Sequence, residues 1–86
     1  EQSARALALD LAPVRVNAVA PGWTDTPMWE GLLGEDRHAA FADVAARLPV
    51  GHIAAAADVA GAVLFLMNNR SVTGEIVHVD GGHRLI

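Results

Sequence analysis

Apolar residues fall at helical spacing from the first turn of the chain. Ala4, Leu7, Ala8 and Leu11 share one face, and Pro13 cannot continue the run. The spacing predicts the end of an amphipathic helix over 3–11. From Val14 to Ala20 the pattern changes. The stretch "VRVNAVA" is rich in β-branched residues and apolar on both alternating faces, apart from Arg15 and Asn17. That pattern suits a strand covered on both sides, as in a parallel sheet. Pro21-Gly22 is a strong turn signal and breaks the strand.

Beyond the turn, Thr26-Pro27 opens a short helix through Leu33, because threonine caps a helix start and proline suits its first position. Gly31 and Gly34 weaken this helix, which predicts a mobile element. A second, alanine-rich helix is predicted over Arg37 to Leu48, with Phe41, Val44, Ala45 and Leu48 on one face. Pro49 and Gly51 end it. The stretch "DVAGAVLFLMNN" from Asp58 to Asn69 is the strongest helix in the chain. Val59, Val63, Leu66 and Met67 keep helical spacing, while Leu64 and Phe65 widen the apolar surface beyond one stripe. A helix of this kind is expected to be buried on two sides, one against a sheet and the other against more protein or a partner subunit. Thr73-Gly74 makes a turn, "EIVHVD" reads as a second strand, and Gly81-Gly82 ends it.

Two strands joined through helices form a parallel crossover unit. Two strands are too few to cover these helices, so the pattern implies a larger parallel sheet. The start points the same way: the chain opens on Glu1-Gln2-Ser3 rather than methionine and enters helical spacing almost at once. The expectation is the C-terminal portion of something longer.

Composition narrows the function. The 86 residues are 52% hydrophobic and carry a formal charge of −4, with six basic residues that are all arginine. No basic stripe suits a nucleic-acid groove, and no apolar run approaches the roughly 18 residues of a membrane span. Without cysteine there is no disulfide or thiol chemistry, which fits a cytoplasmic protein. His38, His52, His78 and His83 show no metal-binding spacing, so no metal site is expected. There is also no tyrosine and no lysine.

The stretches "VRVNAVAPGWTDTPM" and "TGEIVHVDGG" resemble the C-terminal part of the short-chain dehydrogenase/reductase family. The family pattern Arg-Val-Asn-x-Val-x-Pro-Gly-x-x-x-Thr is met from Arg15 to Thr26. Thr-Gly-x-x-x-x-Val-Asp-Gly-Gly is met from Thr73 to Gly82, and the long helix lies between the two. The resemblance implies an α/β fold, the C-terminal portion of a Rossmann-type doubly wound parallel sheet. Within it, 1–13 would end a helix, 14–20 form a strand, 21–50 the cofactor loop and substrate lid, 51–70 the long helix, and 71–86 the last strand and tail.

It further implies NAD or NADP as cofactor and hydride transfer to or from a small carbonyl or alcohol substrate. Pro21, Gly22 and Trp23 would lie beside the nicotinamide. The main chain at Thr24 would hold its carboxamide, and Thr26 would reach the carboxamide or pyrophosphate, a role compatible with capping the helix. Met28, Trp29, Leu32 and Leu33 would belong to the lid over the substrate, although Trp29 could equally pack on the core. The family's catalytic Ser and Tyr-x-x-x-Lys lie upstream, so no catalytic residue is expected here. Asn17 is expected to make a structural hydrogen bond and Asp80 to serve a turn. Ala60, Gly61, Val63, Leu64 and the last strand would form a homo-oligomer interface. The alternative is a non-catalytic oligomerisation or interaction fragment of the same fold.

Overall fold

The computed structural model describes residues 2–25 and 36–86. Helix α1 spans Gln2–Asp10. Strand β1 spans Ala18–Pro21 and β2 Thr24–Asp25, followed by helix α2 at Arg37–Arg47. Strand β3, Ala54–Ala55, runs into the longest helix, α3, at Ala56–Asn68. Strand β4, Ile76–Val79, leads to a 3-10 turn at His83–Leu85.

The strands form two parallel pairs. β1 pairs with β4 in the register Ala18↔Ile76 to Pro21↔Val79, and β2 pairs with β3 as Thr24↔Ala54 and Asp25↔Ala55. The second pair was not legible in the sequence, because two-residue strands carry no periodicity.

β1 is shorter at its start than the predicted 14–20 and includes Pro21. The amides of Ala18 and Gly22 donate to Glu75 and Val79 of the neighbouring chain segment. Amides two residues apart point the same way along a strand. Pro21 therefore falls on the side away from β4, where its missing N–H costs no bond in this ladder.

Residues 14–17 are instead fastened by side chains. Val14 N–H donates to Leu11 O, closing the turn after α1. The Arg15 guanidinium donates to the carbonyls of Leu66 (2.7 Å), Met67 (3.1 Å) and Val72 (3.2 Å), which caps the C-terminus of α3 with a cation. Asn17 bonds both ways. Its Nδ2 donates to Val72 O at 2.9 Å and its Oδ1 accepts from Glu75 N–H at 3.0 Å. Val16 completes the seam, donating to Thr73 Oγ1 at 3.1 Å and accepting from Gly74 N–H at 2.7 Å. Asn17 thus has the structural role expected of it.

α1, α2 and α3 lie within two residues of the spans read from their apolar spacing, although α3 starts five residues later than the 51–70 segment the resemblance assigned to the long helix. At the start of α3, Asp58 accepts from Ala55 N–H at 2.8 Å, an acid at the third helical position reaching back to the cap. Among the described residues the buried apolar ones are Ala4, Ala8, Leu48, Ala54 and Leu66. Among the described residues α3 is covered on one side. Leu66 is buried, but Leu64, Phe65 and Met67 are 56%, 55% and 66% exposed. One pair of strands covers one side of the helix only.

Candidate functional site

In a parallel pair both strands end on the same side, and here those ends lie against each other. Gly22 follows β1 and Asp80 follows β4. A Cβ on Gly22 would stand 2.7 Å from Asp80 Cβ and 3.0 Å from Asp80 Cα. The glycine is therefore required by its neighbour in the sheet, a reason the sequence did not disclose.

Trp23 comes next and packs edge-to-face on Phe41 of α2, with ring centroids 6.4 Å apart at 80°. Its carbonyl accepts from Ala54 N–H at 3.3 Å. The Trp23 C=O and Thr24 N–H share one peptide plane and point in opposite directions. The Thr24 N–H therefore faces away from β3. The Thr24 hydroxyl turns back and donates to Gly22 O at 3.1 Å. Thr26, Met28, Trp29, Leu32 and Leu33 lie outside the described residues, as does the predicted short helix through Leu33.

On the β4 side, Asp80 organises the turn. Its Oδ1 accepts from Gly82 N–H at 3.0 Å, its Oδ2 from Arg84 N–H at 3.4 Å, and its carbonyl from His83 N–H. The Gly82 bond, first of all, holds the carboxyl below its ordinary value of 3.8, with Arg84 and His78 adding to the effect. Gly81 and Gly82 adopt φ of +63° and +89°, a region that favours glycine. A Cβ on Gly82 would meet Pro49 Cγ at 2.7 Å, so the diglycine also lets the Pro49 turn close onto the end of β4. Val50 N–H donates to Gly81 O across that contact.

Two cavities flank the strand ends. One of about 330 Å³ lies between the Val50–Ala54 segment and the Asp80-Gly81-Gly82 turn. The other, about 210 Å³, is lined by Trp23, Val44, Arg47, Leu48, His83 and Ile86. Among the described residues no group of His, Asp or Glu is arranged to hold a metal ion, and no helix is long and apolar enough to cross a membrane.

Parallel strand pairs joined through helices are the elements of part of a Rossmann-type α/β fold. The chain belongs to the short-chain dehydrogenase/reductase family: the family model described as Enoyl-(Acyl carrier protein) reductase matches residues 1–84. It is 44% identical over 85 residues to the short-chain reductase protein NovJ of Streptomyces niveus, covering 91% of this chain and 32% of that one. A small-chain dehydrogenase solved in complex with NADPH superposes with a TM-score of 0.89 at 41% identity, over 99% of this chain and 39% of the other. The MalC reductase/Diels-Alderase of Malbranchea aurantiaca superposes with a TM-score of 0.90 at 34% identity, over 99% and 33%. The chain spans about a third of the length of the curated relatives it matches.

Proposed function

We propose that this chain supplies the nicotinamide-contacting loop of an NAD(P)-dependent oxidoreductase that moves a hydride between the cofactor and a small carbonyl or alcohol substrate. The observation that carries the reading is the shared end of β1 and β4. There a glycine without room for a side chain is followed by a peptide N–H, at Thr24, turned away from β3. In open parallel sheets ligands bind beyond the carboxyl ends of the strands, and an outward peptide donor suits a carboxamide oxygen. The relative solved with NADPH supports a nicotinamide cofactor of either kind here.

In this reading Pro21, Gly22 and Trp23 flank the nicotinamide ring, and the Thr24 main chain orients its carboxamide. The Thr26 hydroxyl reaches the carboxamide or pyrophosphate. Met28, Trp29, Leu32 and Leu33 shield the substrate from water. The bound nicotinamide would supply the hydride chemistry. With neither tyrosine nor lysine in the chain, the proton would be handled by residues of a longer polypeptide, and these 86 residues alone would be inactive.

Fluorescence titration of the full-length protein with NADH and NADPH tests the assignment. Saturable binding of at least one, weakened by Thr26→Ala, is expected; binding of neither refutes it. Unchanged affinity in Thr26→Ala leaves that residue the capping role only.

The bare outer face of α3 favours a second role beside the first. Ala60, Gly61, Val63 and Leu64, with β4, would form an isologous interface between copies, and among the described residues no strand pairs with the outer edge of β4. If the 86 residues act alone, this surface makes them a non-catalytic oligomerisation fragment.

A further inference from the structure

Gly22 offers the loop beyond β1 no side chain to hold it by, so the first side-chain anchor past the strand is Trp23. Its ring meets that of Phe41 edge-to-face, at 6.4 Å and 80°, and both residues are half-buried. Its carbonyl accepts from Ala54 N–H at 3.3 Å. The two restraints come from different parts of the chain. Ala54 belongs to β3, and Phe41 to α2, an element outside both strand pairs.

α2 is itself fixed at its far end. Leu48 at its exit is buried, Gly51 N–H donates to Leu48 O at 2.9 Å, and Val50 N–H donates to Gly81 O at 3.2 Å in the turn after β4. The path closes on itself. The ends of β1 and β4 abut at Gly22 and Asp80, the β4 turn holds the exit of α2, and α2 returns through Phe41 to Trp23.

The strand pair alone holds the Trp23–Thr24 peptide loosely. β2 and β3 pair over two residues each, and the 3.3 Å bond to the Trp23 carbonyl is longer than the usual range of about 2.7–3.2 Å. A bond of that length lets the peptide plane tilt about its oxygen, and the Thr24 N–H tilts with it. The Trp23 Cα lies in the same plane, so a ring seated against Phe41 limits that tilt.

We propose that Phe41 is a positioning residue for the nicotinamide: by seating the Trp23 ring it fixes the peptide whose N–H, at Thr24, orients the carboxamide. This rests on the oxidoreductase reading of that loop. Phe41 acts through Trp23 and lies outside both motifs that carry the family resemblance. A donor already in place meets its acceptor without the cost of being ordered on binding. The contribution of Phe41 is therefore confined to the nicotinamide end of the cofactor.

The test is calorimetric titration of the full-length protein with NADH or NADPH, whichever binds tighter, and with the fragment of that cofactor that ends before the nicotinamide, ADP-ribose or 2′-phospho-ADP-ribose. Phe41→Leu keeps apolar bulk at the position and removes the ring; Phe41→Tyr keeps the ring. Phe41→Leu is expected to raise the Kd of the dinucleotide about two- to tenfold, the range an aromatic pair adds beyond its buried area, and to leave that of the fragment unchanged. Phe41→Tyr should leave both unchanged. A role in stability alone would lower the urea midpoint of Phe41→Leu without separating the two ligands.

An unchanged dinucleotide Kd in Phe41→Leu, an equal change for both ligands, or an equal loss in Phe41→Tyr would overturn the proposal. In each of those cases the unaltered protein still binds dinucleotide and the oxidoreductase reading stands. If the unaltered protein binds neither NADH nor NADPH, that reading falls and the positioning role falls with it.

Discussion

Gly22→Ala separates two explanations of the same glycine. On the family resemblance it keeps the backbone clear for the nicotinamide; in the structure it keeps the backbone clear for Asp80. The added methyl carbon would sit 2.7 Å from Asp80 Cβ, where ordinary contact begins at 3.4 Å. The strand ends must part by at least about 0.7 Å, and the second obstacle, Asp80 Cα at 3.0 Å, is backbone and cannot swing aside. Overpacking of this kind costs about 1–3 kcal/mol. Parting the strands also weakens the 3.1 Å bond from Gly22 N–H to Val79 O, a further 0.5–1.5 kcal/mol or so. Against this, alanine lowers unfolded-state entropy by roughly 0.4–1 kcal/mol. The net expectation is a loss of about 1.5–3 kcal/mol, measured by urea denaturation without ligand.

The decisive comparison adds Asp80→Gly, which removes the carbon that collides. If the neighbouring strand is what requires the glycine, the two costs will fail to add, and the double variant will be more stable than their sum predicts. Nucleotide affinity, measured in parallel, should recover together with stability. Strict additivity in stability, with nucleotide binding lost in both single and double variants, would refute the sheet-contact explanation. Gly22 would then be assigned to the cofactor alone.

Other perturbations probe the remaining parts. Asp80 stabilises the turn as a carboxylate, and its lowered pKa means that this contribution is complete above pH 3.8 and is lost as the pH falls below it. The stability difference between the protein and Asp80→Asn should therefore shrink in acid denaturation below that point; a difference independent of pH would count against the turn role. Arg15→Met removes two hydrogen bonds from the end of α3 and one from Val72 O in the turn beyond it and should cost about 1.5–3 kcal/mol. Amides near 66–72 should gain the most hydrogen exchange. Gly61 has nothing within 4 Å of a built Cβ, so Gly61→Ala should favour the helix by up to about 1 kcal/mol. Leu64→Glu should dissociate the proposed oligomer in light scattering, as should a charge at Val77; unchanged size excludes that interface.

The helices were legible because their spacing is strong and their stops are chemical: Pro13, Pro49 and the Asn68-Asn69 pair. The parallel relation of β1 and β4 was legible from their two-sided apolar pattern. The edges of the strands were not. Residues 14–17 look like strand, since Val14 and Val16 are β-branched, but their polar neighbours hold them to the 72–75 turn by side chains. No periodicity reports a partner 55 residues away. The β2–β3 pair was illegible for the same reason, and so was the 210 Å³ cavity, whose walls come from three distant segments. At the strand ends, the demand made by Asp80 on Gly22 could only come from geometry.

The two motifs that carry the family resemblance consist mainly of residues that bind each other. Arg15, Val16 and Asn17 of the first fasten to Val72, Thr73, Gly74 and Glu75 at the second, and Gly22 of the first abuts Asp80 of the second. Asn17 bonds the Val72 carbonyl, which it shares with Arg15, and the Glu75 amide. Such a seam locks the register of β1 against β4 at both ends, since a slip of one residue would separate every one of these pairs. The register in turn fixes how far Gly22 and Thr24 project beyond the sheet. A chain that keeps the seam keeps the loop in position whatever substrate it meets, and so the motifs report the family without reporting the substrate. Under the proposed function, discrimination among substrates would then fall to side chains outside the seam.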